Sequence, residues 1–394
     1  MQLSARVYRA QPSQTAVVSA RAAAMRAEGR QIVNLGVGES DFDTPDHIKK
    51  AAAQAMAAGD TKYTPVDGTR ALKDAVIDKF ARENALDYSR DQVAVSVGGK
   101  QAIYNCFQAL LDAGDEVIIP APYWVSYPDM ARLADAEPVI VAAGPEAGFR
   151  ITPAQLHRAI TPRTRLVVLN SPCNPTGAVY SPDELLALAE VLLPHPGVTI
   201  LTDDLYEHIR WAGDGFKNIV NVCPALYDRT LVVNGVSKAY AMTGWRIGYA
   251  AGPASLVRAM VKIQSQTTSA PSSISQAAAL AALEGGLDCV HAMTRTFRER
   301  HDYFVPALDQ LPGVACDPCG GAFYALADFR EAIASIDGVE DDIGLCERLL
   351  EDAEVALVPG SAFGAPGHVR LSYASSHEVL AEAIERIEGV LRTG

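Results

Sequence analysis

The sequence predicts an α/β fold: a mainly parallel sheet, followed in the chain by a second, smaller α+β domain. Three observations predict it. Short apolar, β-branched runs alternate with helical stretches from residue 93 to residue 234, the character changes after Gly286, and polar or glycine-bearing motifs fall where the apolar runs end. Near-continuous apolar strands separated by helices are what a sheet covered on both faces requires.

The 394 residues allow two or three domains, and 49% hydrophobic with 21% charged residues describes an ordinary globular chain. A net charge of −13, dispersed along the sequence, disfavours nucleic acid and anionic membrane surfaces as partners. No apolar run approaches the roughly 18 residues of a membrane span, and the first thirty residues lack the apolar core of a signal peptide, so the cytoplasm is expected. Seven scattered cysteines do not make a disulfide framework. Cys316 and Cys319 form one CxxC with no second pair, which reads as free thiols; no metal site is expected.

Taken in order, a loose arm of about ten residues leads to a helix over 12–29. A short strand and an acidic, turn-rich loop occupy 32–45; its Gly-Val-Gly opens no helix, which excludes a dinucleotide site. Helices follow at 48–59 and beyond Gly68. Strands are then predicted at 93–99, 116–123, 137–143, 166–172, 198–204 and 231–234, with helices from Gln101, from Tyr127 and over 152–160. After Gly286 come a long polar helix near 287–310, short strands in AFYALADF, VALVPG and HVRLSYA, and helices at 342–352 and 377–391. The N-terminal segment is expected to complete this second domain.

Chemistry gathers at the strand ends, where open α/β sheets place their sites. Lys238 lies just past the strand at 231–234, in GVSKAYAMTGWRIGY, and Arg246 follows eight residues on. An amine beside a guanidinium suits a phosphorylated carbonyl cofactor: the amine condenses with the carbonyl, and the guanidinium grips the phosphate while helping to depress the lysine pKa. The plainer alternative is a solvated lysine and a salt-bridged arginine. In Ser96-Val97-Gly98-Gly99-Lys100-Gln101, two glycines expose N–H groups at a helix start, a phosphate cradle or a structural turn. Asn174, in the turn Asn170-Ser171-Pro172-Cys173-Asn174-Pro175-Thr176-Gly177, is aimed by the prolines around it. Thr202-Asp203-Asp204-Leu205-Tyr206-Glu207 ends a strand with a carboxylate and a phenol.

The run GxSKxxAMxGxRIG resembles the cofactor-lysine signature of class I aminotransferases, which are pyridoxal phosphate (PLP) enzymes of fold type I, and the likeness extends over essentially the whole chain. It implies a mainly parallel seven-stranded sheet in a large PLP-binding domain, residues 36–286, and a small domain of residues 1–35 plus 287–394. By resemblance, Lys238 holds PLP as an internal aldimine and then serves as the general base. Asp203 keeps the pyridine nitrogen protonated, Tyr206 and Asn174 meet the phenolic oxygen, and Trp124 stacks on the ring. Gly99, Lys100, Ser237 and Arg246 complete the cofactor site, and Tyr63 reaches the phosphate of a neighbouring subunit, which implies a homodimer with shared active sites. Arg370 in HVRLSYA holds the substrate α-carboxylate, with Gly38, Trp124 and Asn174 also at the substrate. This chain carries Asp203-Asp204 where the family more often has Asp-Glu.

Within the family the chain is most similar to the bacterial aspartate aminotransferase and aspartate/prephenate aminotransferase subgroup that carries GGKQ, in which Lys100 would meet the distal carboxylate of aspartate or glutamate. The expected reaction is ping-pong transfer between aspartate and 2-oxoglutarate. An aromatic or prephenate aminotransferase is the alternative. A PLP lyase and a non-catalytic PLP-binding module are readings of other classes. Many relatives place a lysine over the substrate near the N-terminus, where this chain has Gln11; Thr15 fits the pattern.

Overall fold

The computed structural model describes residues 1–213 and 215–393. Its strands, in chain order, are β1 (Val33–Asn34), β2 (Val93–Ser96), β3 (Glu116–Ala121), β4 (Glu137–Ala142), β5 (Thr164–Asn170), β6 (Thr199–Asp203), β7 (Thr230–Gly235), β8 (Gly248–Ala251), β9 (Tyr324–Asp328), β10 (Val355–Ala356), β11 (Val358–Pro359) and β12 (His368–Ser372). Seven of them form one sheet in the order β2-β8-β7-β6-β5-β3-β4.

The two faces of that sheet are legible in the alternation of its residues. Val95, Ile118, Val167, Leu169, Ile200 and Val232 point into one core, with the helices Arg70–Asn84, Pro182–Leu192 and Ser273–Glu284. Their neighbours Ala94, Val117, Ile119, Leu166, Val168, Leu201 and Val233 point into another, with the helices Gly99–Leu110, Ser126–Leu133 and Ala254–Ser265. Period-two alternation with both sets apolar is the signature of a doubly covered sheet.

β3 through β7 run parallel, whereas β8 is antiparallel to both β7 and β2. The reversal follows from the connection: residues 236–247 form a loop of turns, one of them the short 3-10 turn Thr243–Trp245, with no crossover helix, so the chain returns in the opposite sense. The sequence reading placed no element over 252–286, where the helices Ala254–Ser265 and Ser273–Glu284 stand. It also described residues 1–11 as a loose arm. Ala5–Arg9 is a short helix, held against the end of the helix Ser126–Leu133 by Arg6 and Arg9 at Asp135.

Beyond residue 287 the chain builds a separate core around Phe297, Phe304, Leu308, Phe323, Leu349 and Ile387. It contains the antiparallel sheet β11-β12-β9 and the helices Asp288–Asp309, Asp342–Asp352 and His377–Thr393. β1 pairs with β10, Val33 opposite Val355, so the N-terminal segment does join the C-terminal part. Tyr206 and Ile209, from the loop after β6, are buried in this same core. All seven cysteines are free thiols. Among the described residues, no helix is long and apolar enough to cross a membrane.

Candidate active site

Asn170, Asp203 and Val233 are in register across β5, β6 and β7, so β5 and β6 end level with one another and β7 runs two residues further, to Gly235. Above those ends lies a cavity of about 340 Å³, lined among others by Gly38, Gly99, Lys100, Trp124, Asn174, Asp203, Tyr206, Ser237, Lys238, Arg246 and Arg370. Every site residue read from the sequence is therefore brought together except Tyr63, which is 97% exposed and lies outside the cavity. Thr15 reaches the lining as well, while Gln11 lines a neighbouring groove shared by Lys100 and Arg246.

The Lys238 amine donates to the carbonyl of Gly38 at 2.6 Å. Burial of that amine lowers its pKa to about 8, and Arg370 and Arg246 add to the effect, while Glu39 and Asp203 oppose it. A cation in so poor a solvent is the form a nucleophilic or basic lysine needs to leave. Asp203 is buried, and burial raises its carboxyl to about 6, held down from a higher value by hydrogen bonds and by Lys238. Its Oδ2 accepts from Tyr127 Oη at 2.6 Å, and the amide of Asn170 donates to its carbonyl at 2.8 Å.

Arg370, on β12, is 1% exposed. It donates to Asn174 Oδ1 at 3.1 Å and to the carbonyl of Gly36 at 2.5 Å, while its Nε has no partner. The guanidinium lies over the rings of Tyr324 and Phe363, 4.6 and 4.8 Å from their centroids. A buried guanidinium with a donor unused and, among the described residues, no carboxylate paired with it is a receptor for an anion. Lys100 stands 5.0 Å from the Trp124 ring centroid, and burial together with Arg246 lowers its pKa.

The residues also fit a phosphorylated pyridine. Gly98 has φ of 82° and precedes the helix that starts at Gly99, and a Cβ on it would meet an Arg246 Nη at 2.5 Å. A Cβ on Gly248 would collide with the Gly99 amide. That leaves backbone N–H groups, the Ser237 hydroxyl and one guanidinium around a space suited to a phosphate. Lys238 can take the aldehyde, and Asp203 can take the ring nitrogen.

Several lining or supporting residues are not marked as site residues in the sequence. Tyr324 and Glu39 line the cavity, Thr243 hydrogen-bonds Glu39, and Tyr127 holds Asp203 from behind. Contacts across long sequence separations reveal them; of the four, only Thr243 falls inside a site motif, the run around Lys238.

A sheet whose strand ends carry a depressed lysine, a buried aspartate and a phosphate cradle defines a PLP enzyme, and the chain belongs to the family described as aminotransferase class I and II, which matches residues 30–387. It is an aminotransferase and uses pyridoxal 5'-phosphate. Its relatives include the aspartate/prephenate aminotransferase of Nitrosomonas europaea, 54% identical over 99% of this chain and 100% of that protein. Among solved structures, the aspartate aminotransferase of Rhizobium meliloti superposes with a TM-score of 0.95 at 48% identity, covering 100% of this chain and 99% of that one. The aspartate aminotransferase of Thermus thermophilus with maleate gives 0.92 at 46%, over 99% and 100%.

Proposed function

We propose that the chain transfers the amino group of L-aspartate to 2-oxoglutarate in two half-reactions, as a cytoplasmic homodimer. The observation that carries the substrate assignment is that two cations on separate elements, the buried Arg370 and the solvent-reached Lys100, line one cavity. A substrate with two carboxylates uses both; a monocarboxylate leaves Lys100 without a partner on the substrate.

In this reading Arg370 takes the α-carboxylate, with the Gly38 backbone and Asn174 beside it, and Lys100 takes the distal one. Bound PLP supplies the electron sink for the pair left when the α-proton departs. Lys238 removes that proton and returns it, and a pKa of about 8 leaves part of the population neutral near pH 7. Asp203 holds a proton on the ring nitrogen, Tyr206 and Asn174 serve the phenolic oxygen, and Gly99, Ser237 and Arg246 hold the phosphate, with Lys100 at its edge. Trp124 covers the ring. The exposed Tyr63 would complete the phosphate site of the second subunit. We take residues 36–286 as the large domain and 1–35 with 287–394 as the small one.

A second reading, transfer to prephenate, draws on the name of the Nitrosomonas relative. Prephenate is also a dicarboxylate, so the same two cations serve it, and Gln11 removes one further charge from the mouth of the site.

The test mixes the holoenzyme separately with aspartate, phenylalanine and alanine, and follows the cofactor's visible absorption together with the oxo acid released. Fast bleaching with oxaloacetate supports the assignment. A response mainly to phenylalanine moves the assignment to aromatic substrates, and no response to aspartate overturns it.

A further inference from the structure

Tyr324 begins β9 and is wholly buried, with its hydroxyl 2.7 Å from the hydroxyl of Tyr206. The two residues reach one core from different elements: Tyr206 from the loop after β6, and Tyr324 from the small sheet that also carries Arg370. Across that sheet Tyr324 pairs with Ser372 and Leu326 pairs with Arg370, which puts Tyr324 and Arg370 on one face. The Arg370 guanidinium lies 4.6 Å above the Tyr324 ring.

Proton counting then sets a direction. Each phenol has one proton to donate, and each of these hydroxyls has the other as its hydrogen-bond partner among the described residues. One proton must fill the shared bond, which leaves one free to point elsewhere. If Tyr206 is to donate to a cofactor oxygen in the cavity, the shared bond has to be donated by Tyr324. The guanidinium lowers the pKa of both phenols, but it lies over the Tyr324 ring and is the largest of the lowering influences there, which favours Tyr324 as the more acidic donor. A hydroxyl that accepts one hydrogen bond is itself a stronger donor of the next.

We propose that Tyr324 is a positioning residue of the transamination site, donating to Tyr206 so that the Tyr206 proton is directed at the phenolic oxygen of the cofactor. The proposal rests on the reading of Tyr206 given above. It also accounts for Gly38. A Cβ at that position would collide with the Tyr324 hydroxyl, whereas the ring carbon bearing it stands at 3.3 Å. The hydroxyl, and not the ring, therefore demands a glycine at the residue whose carbonyl receives Lys238.

The charged and titratable groups facing the pair are Arg370 from β12, Asp203 from β6 and, next to them, Lys238 with Glu39. None of these changes in Tyr324→Phe, so the substitution removes one donor and little else. The measurement is the pH midpoint of the cofactor's visible absorption in three holoenzymes: the parent, Tyr324→Phe and Tyr206→Phe. A donor at the phenolic oxygen stabilises its anion, so Tyr206→Phe raises the midpoint, and Tyr324→Phe raises it by a smaller amount, about half a unit to one unit. If Tyr206→Phe shifts the midpoint and Tyr324→Phe leaves it in place, the proposal is wrong while the reading of Tyr206 stands. If neither variant shifts it, the reading of Tyr206 is itself wrong. An independent arm needs no cofactor: Gly38→Ala lowers the melting temperature of the apoprotein, and Gly38→Ala with Tyr324→Phe recovers most of the loss. Equal losses in both backgrounds overturn the placement of the hydroxyl.

Discussion

Tyr127 Oη stands 2.6 Å from Asp203 Oδ2, in a buried bond between residues 76 apart in sequence. Burial pushes the tyrosine hydroxyl well above its usual range, so it remains a donor at any working pH. The carboxyl, raised to about 6 by the same burial, is held down chiefly by this bond. Tyr127 thus keeps Asp203 ionised, and it touches Trp124 edge to face at 5.3 Å.

Tyr127→Phe should therefore raise the Asp203 pKa further. A hydrogen bond to a charged group contributes about 1.5–3 kcal/mol, so the acid limb of the kcat/KM profile should move up by about one pH unit or more. The plateau at high pH should change less. An acid limb left where it was would mean that Asp203 is held ionised by other groups.

Asp204, the neighbour of Asp203, makes a prediction about stability. It is buried, its Oδ2 accepts from Asn218 at 3.0 Å, Thr202 donates to its other oxygen, and burial raises its pKa to about 7. The folded chain therefore binds a proton here that the unfolded chain has released. With more protons bound in the native state, stability falls as pH rises from the unfolded carboxyl value near 4 to about 7, and then levels. Asp204→Asn keeps an acceptor for Asn218 and removes the titration, so the apoprotein variant should gain on the order of 4 kcal/mol relative to the parent by pH 8. Melting temperatures of the two proteins across pH 5 to 8 should diverge; parallel curves would refute the assignment.

The strand-end chemistry was legible in the sequence because it is local: each motif follows an apolar run directly, and parallel strands in register carry their ends to one place. Asn170, Asp203 and Val233 needed no knowledge of long-range contacts. Strand direction was less accessible, since the apolar run of β8 looks the same in either sense and only the lack of a helix in 236–247 decides it. The helix Ser273–Glu284 went unread because alanines and leucines are spread around its circumference, six of its twelve residues are buried, and no polar face marks its period. Tyr127 and Tyr324 were missed for a different reason. Their partners lie 76 and 118 residues away, and no spacing rule connects them.

Behind the site, Glu207 is buried with Lys79 and accepts from Asn84 at 2.6 Å and from Asn234 at 2.8 Å. Asn234 lies four residues before Lys238, so the network ties the Tyr206 loop to the lysine loop. Glu83, Glu207 and His208 offer ligand atoms close together, but the Lys79 ammonium already sits among these carboxylates. Glu207→Gln leaves that ammonium without its closest counter-charge, and breaking a buried pair on one side costs about 3–5 kcal/mol. Lys79→Met combined with Glu207→Gln should recover much of this loss. Denaturant midpoints of Glu207→Gln, Lys79→Met and the double variant measure the coupling, and purely additive losses would show that the pair is not coupled.

Lys100 offers the sharpest test of substrate choice, because its role is separable from chemistry at Lys238. It lines the cavity next to Trp124, and its amine carries a lowered pKa from burial and from Arg246. A hydrogen bond between charged groups contributes about 1.5–3 kcal/mol. Lys100→Ala should accordingly lower kcat/KM for aspartate by roughly 10- to 100-fold while changing that for alanine by only a few-fold. Lys100→Gln, which keeps a donor and loses the charge, should fall between the two. If aspartate and alanine suffer alike, Lys100 serves the cofactor's phosphate edge rather than the substrate side chain, and the distal carboxylate must be met by another group.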